Sequence, residues 1–219
     1  MGIEKNLADF LSSDVEAVVA SERNYATRYN RQSEPRAILL AGQPGAGKTV
    51  LSSMLNKLLC GNVYFINADE YRRFHPNYKE LYARYGSDSV QMTSGFSGAV
   101  TERLIHETSE RGIHLIIEGT GRTTDVPHRT AELLVKKGYR VELAVIATRP
   151  EHSLCSTLLR FYEMNERGTI PRATAMEAHD YVVRVLPDNL DILRDDPVIS
   201  GITIWDRTPT KIYDSCGTA

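Results

Sequence analysis

Residues 42–49 constrain this chain more than any other stretch. They read Gly-Gln-Pro-Gly-Ala-Gly-Lys-Thr and fit the pattern of glycine, any four residues and Gly-Lys-Ser/Thr without a mismatch. A short apolar run at 37–41 precedes them, and apolar residues recur at helical spacing from 50 to 59. Strand, glycine turn and helix is the context that a phosphate-binding loop requires. The sequence therefore predicts such a loop, against the alternative of a chance match in a glycine-rich turn.

Each residue type in this loop has a predicted task. Glycines let backbone N–H groups and the positive end of the following helix approach an anion closely. Lys48 would place its charge on the outer phosphates, and Thr49 would give a hydroxyl ligand to Mg²⁺. We therefore expect ATP and Mg²⁺ at a site formed by Gly42, Gln43, Pro44, Gly45, Ala46, Gly47, Lys48 and Thr49. A nucleotide-binding regulatory module that does no chemistry would show the same loop.

The composition narrows the class of protein. The 219 residues are 42% hydrophobic, enough to form a core, and a net charge of −2 predicts neither a nucleic-acid nor a membrane partner. No signal peptide or membrane span is visible, so we expect a cytoplasmic protein. The histidines His75 and His179 have no metal-ligand neighbours and are expected to be surface residues. No disulfide framework or zinc site is predicted from the three dispersed cysteines, Cys60, Cys155 and Cys216.

Strand and helix patterns alternate along the chain. An amphipathic helix is predicted from Glu4 to about Arg23, and another is expected to be capped by Asp125 and to stop at Gly138. The tail after Tyr213 is expected to be frayed. Further apolar runs predict strands at 63–66, 113–117, 141–147 and 202–205, the last taken as the final strand. This alternation predicts an α/β fold with a mostly parallel central sheet flanked by helices.

Polar residues follow three of these strands, at the sheet edge where ligands gather in such folds. Asp69 would accept the proton of a substrate hydroxyl, although an aspartate here could equally be a helix N-cap. Glu118 would hold the metal through water or bind a sugar hydroxyl, or it could pair with Arg122. Thr120 and Arg122 would contact substrate, or could form a self-bonded turn.

Residues 150–194 have a helical pattern that is interrupted at 168–171 and rich in arginine. An arginine-bearing helical hairpin beside a phosphate loop resembles the lid of small-molecule kinases. Arg184 and Arg194 are expected to face solvent instead. We interpret the chain as one P-loop kinase domain over 1–219, with an N-terminal helical segment at 1–35 and this lid.

Four segments together resemble the zeta toxin family: 42–49, 67–78 (Asn-Ala-Asp-Glu-Tyr-Arg-Arg-Phe-His-Pro-Asn-Tyr), 118–127 (Glu-Gly-Thr-Gly-Arg-Thr-Thr-Asp-Val-Pro) and 171–180 (Pro-Arg-Ala-Thr-Ala-Met-Glu-Ala-His-Asp). The likeness spans about 36–194. These proteins are kinases of bacterial toxin–antitoxin systems. The resemblance implies ATP-dependent phosphorylation of UDP-N-acetylglucosamine, or a related UDP-sugar, at the 3′-hydroxyl of the amino sugar, which blocks peptidoglycan synthesis. It also implies an antitoxin protein that obstructs the nucleotide site.

The resemblance assigns a role to each candidate residue. The phosphate-loop lysine is matched by Lys48, the catalytic base by Asp69, and the two lid arginines by Arg160 and Arg172. The sugar-nucleotide segment is matched by Glu118, Thr120 and Arg122, and a substrate-contacting acid by Glu102. Gly121 stands where the family has a bulkier residue, which predicts a looser turn. A kinase acting on an antibiotic, a nucleoside or a dinucleotide remains the alternative.

Overall fold

The computed structural model describes residues 6–171 and 174–217, and their helices lie on both faces of one six-stranded sheet. The strands are β1 (Arg36–Ala41), β2 (Val63–Asn67), β3 (His114–Glu118), β4 (Arg140–Ile146), β5 (Gly201–Trp205) and β6 (Lys211–Asp214). The α-helices are α1 (Ser12–Ala26), α2 (Lys48–Leu58), α3 (Ala68–Tyr71), α4 (Tyr78–Tyr85), α5 (Ser89–Met92), α6 (Ser94–Glu110), α7 (Asp125–Lys136), α8 (Pro150–Glu166) and α9 (Met176–Arg194). Short 3₁₀ turns occupy Arg72–Phe74 and Gly86–Asp88.

The sheet has the strand order β2-β3-β1-β4-β5-β6. The first five strands are parallel, and β6 runs antiparallel to β5. β1 lies between β3 and β4, so the loop that follows it leaves the middle of the sheet. The predicted α/β class with a mostly parallel sheet is confirmed.

Alternate residues of each strand enter different cores, because successive side chains of a strand point to opposite faces. On β1, Leu39 packs into the core shared with α1, α6, α7 and α9, whereas Leu40 packs into the core shared with α2. Burial on both faces explains why these strands are continuous apolar runs in the sequence. Within the described ranges, no helix has both the length and the apolar character needed to cross a bilayer.

The N-terminal helix begins at Ser12, so the prediction that residues 6–11 are helical is wrong, while Glu4 lies outside the described residues. Leu11 is extended, and its amide donates a hydrogen bond of 2.8 Å to the carboxylate of Asp14, which fixes the helix start. Phe10 falls within the predicted helix, but it lies before the observed one and packs edge-to-face on Phe96 with 5.4 Å between ring centroids. Phe10 thus holds the residues before α1 against α6 without being part of the helix itself.

Two predictions about the C-terminal segment are wrong. The sheet does not end at Trp205, and the described residues that follow Tyr213 are not frayed. β6 pairs with β5, and beyond it the amide of Ser215 donates to the carbonyl of Ile202 at 2.9 Å. The turn between the strands forms around the Asp206 carboxylate, which accepts hydrogen bonds from the amides of Thr208 and Thr210 at 2.9 and 2.8 Å. β6 is short and largely exposed, so it carries no apolar run that the sequence pattern would detect.

Two smaller predictions are also corrected. Asp125 is the first residue of α7 and not its cap, since Thr124 occupies the N-cap position. His75 and His179 are not surface residues, because their exposed fractions are 3% and 0%. Neither position could be recognised locally, since burial is decided by segments far away in the chain.

Candidate active site

The phosphate loop joins β1 to the first turn of α2, as its sequence context predicts. Gly45 has φ of +76°, and a Cβ atom there would overlap the backbone carbonyl of Ser153. Gly47 has φ of +107° and is the N-cap residue of α2. Glycine is therefore required by both conformation and contact. The amides of the first turn of α2 are left to point along the helix axis at the loop, where an anion is stabilised.

Lys48 is held inside this loop. Its ammonium donates hydrogen bonds to the carbonyls of Gly42 at 2.8 Å and Gln43 at 3.3 Å, and it lies 4.0 Å from Glu118 Oε1. Burial lowers the pKa of Lys48, while the negative charges of Glu118 and Asp69 act in the opposite direction. The two carboxylates therefore favour the charged form of the lysine.

Glu118 ends β3, the strand between those that lead to the phosphate loop and to Asp69. Its Oε2 accepts a hydrogen bond from Asn67 Nδ2 at 3.0 Å, across the β2–β3 pair. The residues that follow Glu118 are hydrogen-bonded to β1 and to the start of the phosphate loop. The amide of Gly119 donates to the carbonyl of Leu40 at 2.8 Å, and the amide of Gly42 donates to the carbonyl of Thr120 at 3.4 Å. The segments after β1, β2 and β3 thus lie side by side, as the sequence predicts.

Asp69 lies in the first turn of α3, but it is not the helix cap. The side chain of Asn67 takes that role by accepting the Asp69 amide at 3.0 Å. The Asp69 side chain is 57% exposed and accepts a hydrogen bond from Arg72 Nε at 3.0 Å. Arg72 is itself held by the carbonyl of Val90 and by Thr93 Oγ1. Asp69 is consequently oriented by a fixed neighbour and remains exposed to solvent.

The turn that carries Thr120 and Arg122 is packed against α9. Gly121 has φ of +74°, and its carbonyl accepts a hydrogen bond from Asn189 Nδ2 at 2.9 Å. A Cβ atom at Gly121 would lie 2.5 Å from Leu186 Cδ1. The glycine therefore allows close packing here. The prediction of a looser turn is wrong. Arg122 is exposed, and its contact with substrate stays a prediction.

The hairpin of α8 and α9 places one predicted lid arginine near the loop. Arg160 is partly buried, and its charge acts on Lys48. Arg172 lies outside the described residues. Arg184 and Arg194 are exposed, as expected, and Arg194 pairs with Asp191 on α9 and with Asp195 directly after it. Glu102 is exposed on α6, and its substrate role stays a prediction.

Two further arginines beside the site were missed. Arg72 orients Asp69, and the i,i+3 spacing of the two residues on one helical turn was a local signal for that pair. Arg207, in the turn between β5 and β6, donates to the carbonyl of Gly45 at 3.2 Å and to Ser156 Oγ at 2.6 Å. Only the three-dimensional pairing of β5 beside β4 brings this turn to the loop, so no sequence signal marked it.

The donor groups at the loop suit magnesium. Thr49 is exposed in the first turn of α2, and the Glu118 carboxylate lies beside Lys48. Among the described residues, no three His, Cys, Asp or Glu side chains gather into a metal cluster. Mg²⁺ commonly binds through one or two protein oxygens, water and the phosphates of a substrate, so a hydroxyl and one nearby carboxylate fit it.

Comparison with known proteins places this arrangement in a family. The profile described as zeta toxin matches residues 20–218. The Streptococcus pneumoniae protein named toxin PezT is 42% identical over 211 residues, which cover 95% of this chain and 83% of that protein. A Streptococcus pyogenes protein named toxin zeta is 41% identical over 185 residues, which cover 84% of this chain and only 64% of that protein.

Solved structures agree with the sequence matches. A structure described as part of the PezAT chromosomal toxin–antitoxin system of Streptococcus pneumoniae superimposes with a TM-score of 0.87 at 39% identity, covering 98% of this chain and 85% of that chain. A putative kinase from Chloroflexus aurantiacus has a TM-score of 0.52 at 16% identity and covers 80% of this chain and 89% of its own. At that identity the likeness extends to the fold alone.

Proposed function

Because the chain belongs to the zeta toxin family, we propose that it is an ATP- and Mg²⁺-dependent kinase that phosphorylates UDP-N-acetylglucosamine, or a related UDP-sugar, at the 3′-hydroxyl of the amino sugar. The observation that carries this proposal is the convergence of three groups at neighbouring strand ends. Lys48 follows β1, Glu118 ends β3 and Asp69 follows β2. These positions supply a phosphate cradle, an acidic group and a proton acceptor along one edge of the sheet.

The reaction moves the γ-phosphoryl group of ATP to an alcohol. The substrate hydroxyl oxygen forms a bond to the γ-phosphorus while the bond to the β–γ bridging oxygen breaks, and ADP leaves. Asp69 accepts the hydroxyl proton, which is why an exposed and oriented carboxylate is needed there. Lys48 and the loop amides hold the phosphates in position. Positioning and charge stabilisation are the main contributions of a protein to this type of transfer.

Arginine and metal supply the remaining positive charge. We propose that Arg160, together with Arg172, stabilises the charge of the transferred phosphoryl group, as lid arginines do. Bound Mg²⁺ would neutralise phosphate charge at the Thr49 hydroxyl, with Glu118 holding it through water or binding a sugar hydroxyl. Thr120 and Arg122 would bind the sugar nucleotide, and Glu102 would contact it from α6.

The biological role follows from this chemistry. A UDP-amino sugar phosphorylated at its 3′-hydroxyl is lost to peptidoglycan synthesis, so we propose that the protein is the toxin of a toxin–antitoxin pair. Relatives bear toxin names, and one similar structure is described as part of a toxin–antitoxin system. We further propose an antitoxin protein as a partner that obstructs the nucleotide site.

A sugar-nucleotide phosphorylation assay tests the proposal. Purified protein is incubated with ATP, Mg²⁺ and UDP-N-acetylglucosamine, and mass spectrometry should detect a gain of one phosphate on the sugar nucleotide. Asp69→Asn and chelation of Mg²⁺ serve as negative controls. If the sugar nucleotide stays unmodified while another metabolite of a bacterial extract gains a phosphate, the substrate is wrong. If ATP binds but no acceptor is modified, the chain is a nucleotide-binding regulatory module.

A further inference from the structure

A buried polar network connects the phosphate loop to both helices of the α8–α9 hairpin. His179 on α9 and Ser153 on α8 are each 0% exposed, and Gln43 in the loop is 4% exposed. Ser153 Oγ lies 2.8 Å from His179 Nε2 and 3.3 Å from Gln43 Nε2. Gln43 Nε2 also donates to the carbonyl of Thr148 at 2.7 Å. Three segments far apart in the chain thus meet in polar contacts inside the protein.

With a neutral imidazole at His179, the network has a consistent set of donors and acceptors. His179 Nδ1 lies 2.8 Å from a carboxylate oxygen of Asp180, which only accepts, so Nδ1 carries a proton. In the neutral imidazole Nε2 is then an acceptor, and the Ser153 hydroxyl donates to it. The serine oxygen accepts in turn from Gln43. Removing His179 takes away one hydrogen-bond partner of the serine hydroxyl, whose Oγ also lies 2.9 Å from the Pro150 carbonyl.

The combination of Ser153, His179 and Asp180 is not a hydrolytic site. Ser153 lies in the first turn of α8 and is fully buried, so its hydroxyl is not accessible to a substrate. A nucleophilic serine must be able to reach the substrate carbonyl. The arrangement is therefore better explained by what it holds in place than by chemistry of its own.

The network holds the loop against the start of α8. Thr148 Oγ1 donates to the loop carbonyl of Ala46 at 2.7 Å, and Gly45 packs directly against the Ser153 backbone. Arg160 lies seven residues after Ser153, about two helical turns further along the same face of α8. The angle of α8 on the loop therefore sets where Arg160 lies relative to Lys48.

We propose that His179 is a positioning residue: through Ser153 it fixes the phosphate loop and the first turn of α8 in the orientation that binds nucleotide and places Arg160. His179 touches neither nucleotide nor acceptor in this proposal. The part concerning phosphoryl transfer rests on the proposed kinase function, whereas the part concerning nucleotide binding does not. The two parts are therefore measured separately.

The test compares His179→Leu, His179→Gln and Ser153→Ala in the full chain. Leucine keeps the volume and removes the ring nitrogens, whereas glutamine can place its amide oxygen near the position of Nε2. We expect the His179→Leu and Ser153→Ala proteins to bind a non-hydrolysable ATP analogue about tenfold more weakly than the parent protein. Their kcat should fall about tenfold, with the KM for the acceptor unchanged. The loss of one buried hydrogen bond accounts for an effect of this size. His179→Gln should remain within about threefold of the parent protein.

Thr108→Val is the matched control for lost stability. Thr108 is buried on α6, and its hydroxyl donates to the Leu104 carbonyl of the same helix at 2.6 Å, so its loss should lower the unfolding midpoint without changing nucleotide affinity. If His179→Leu folds and binds the analogue like the parent protein, the proposal is wrong. It is equally wrong if His179→Gln is as defective as His179→Leu. Ser153→Ala, which removes a single oxygen, decides the matter if His179→Leu does not fold.

The outcomes separate this inference from the proposed function. A parent protein that modifies no UDP-sugar, yet loses analogue affinity on His179→Leu, would refute the UDP-sugar kinase assignment and support the positioning role. An active parent protein whose affinity and kcat do not respond to either substitution would leave the kinase assignment intact and refute the positioning role.

Discussion

Gly121→Ala should destabilise the protein for two separable reasons. Gly121 has φ of +74°, a conformation that alanine adopts at a cost of about 1 kcal/mol. The added Cβ atom would also lie 2.5 Å from Leu186 Cδ1 and 3.2 Å from the Cβ atom of Ala41. The first contact is closer than carbon atoms tolerate, so the end of the Leu186 side chain must move within a packed core.

The expected loss combines both terms. Overpacking by one methyl group in a packed core typically costs about 1–3 kcal/mol. Added to the backbone term, the free energy of unfolding should fall by roughly 2–4 kcal/mol. For a chain of this size each kcal/mol lowers the melting temperature by roughly 2–4 °C. Chemical denaturation in urea, followed by circular dichroism, measures the loss directly.

Gly61→Ala is the matched control. Gly61 has a similar φ of +72°, but a Cβ atom there meets nothing within 4 Å. Only the backbone term of about 1 kcal/mol should appear. Equal losses for Gly121→Ala and Gly61→Ala would refute the packing argument. As a second check, Gly121→Ala combined with Leu186→Ala should lose less stability than the sum of the two single variants, because the clash disappears with the leucine side chain.

Three further predictions concern the site. Asp69→Asn should lower kcat by about 10² to 10⁴ in the sugar-nucleotide assay while ATP affinity stays constant; a smaller effect would show that Asp69 is not the base. Arg160→Ala should cost on the order of 10³ in kcat, whereas the exposed Arg184→Ala should change nothing, and a loss below tenfold for Arg160 would refute its lid role. The charge of Glu118 raises the pKa of Lys48, so Glu118→Gln should lower that pKa. The loss of nucleotide affinity at alkaline pH should then occur at lower pH than in the parent protein. If this loss occurs at the same or a higher pH, the electrostatic coupling is wrong.

The centre of the fold was predictable because the loop motif requires its flanking elements. A strand must lead into the glycine turn and a helix must follow, which located β1 and α2. Parallel strands then bring their carboxyl ends to one edge, so the sequence alone places Asp69 and Glu118 near the loop. The short helices between 71 and 92 carried no comparable pattern and were not predicted.

Long-range contacts were the part that could not be predicted. His179 is separated from Ser153 by 26 residues, and neither residue type reveals that both will be buried. β6 is four residues long and lacks an apolar face. Its place in the sheet comes from its backbone pairing with β5. Local composition does not report which distant segment will cover a side chain.

The strand order fixes the distance between the strand that leads to the phosphate loop and the strand that leads to Asp69. One strand, β3, separates the strand before the phosphate loop from the strand before Asp69. Adjacent strands are about 4.8 Å apart, so these two lie about 10 Å from each other. On the proposed kinase function, that gap would hold a terminal phosphate facing one hydroxyl-bearing ring. On the proposed kinase function, the segments after β2 and β3 would therefore decide which acceptor fits, and the phosphate loop after β1 would hold the nucleotide.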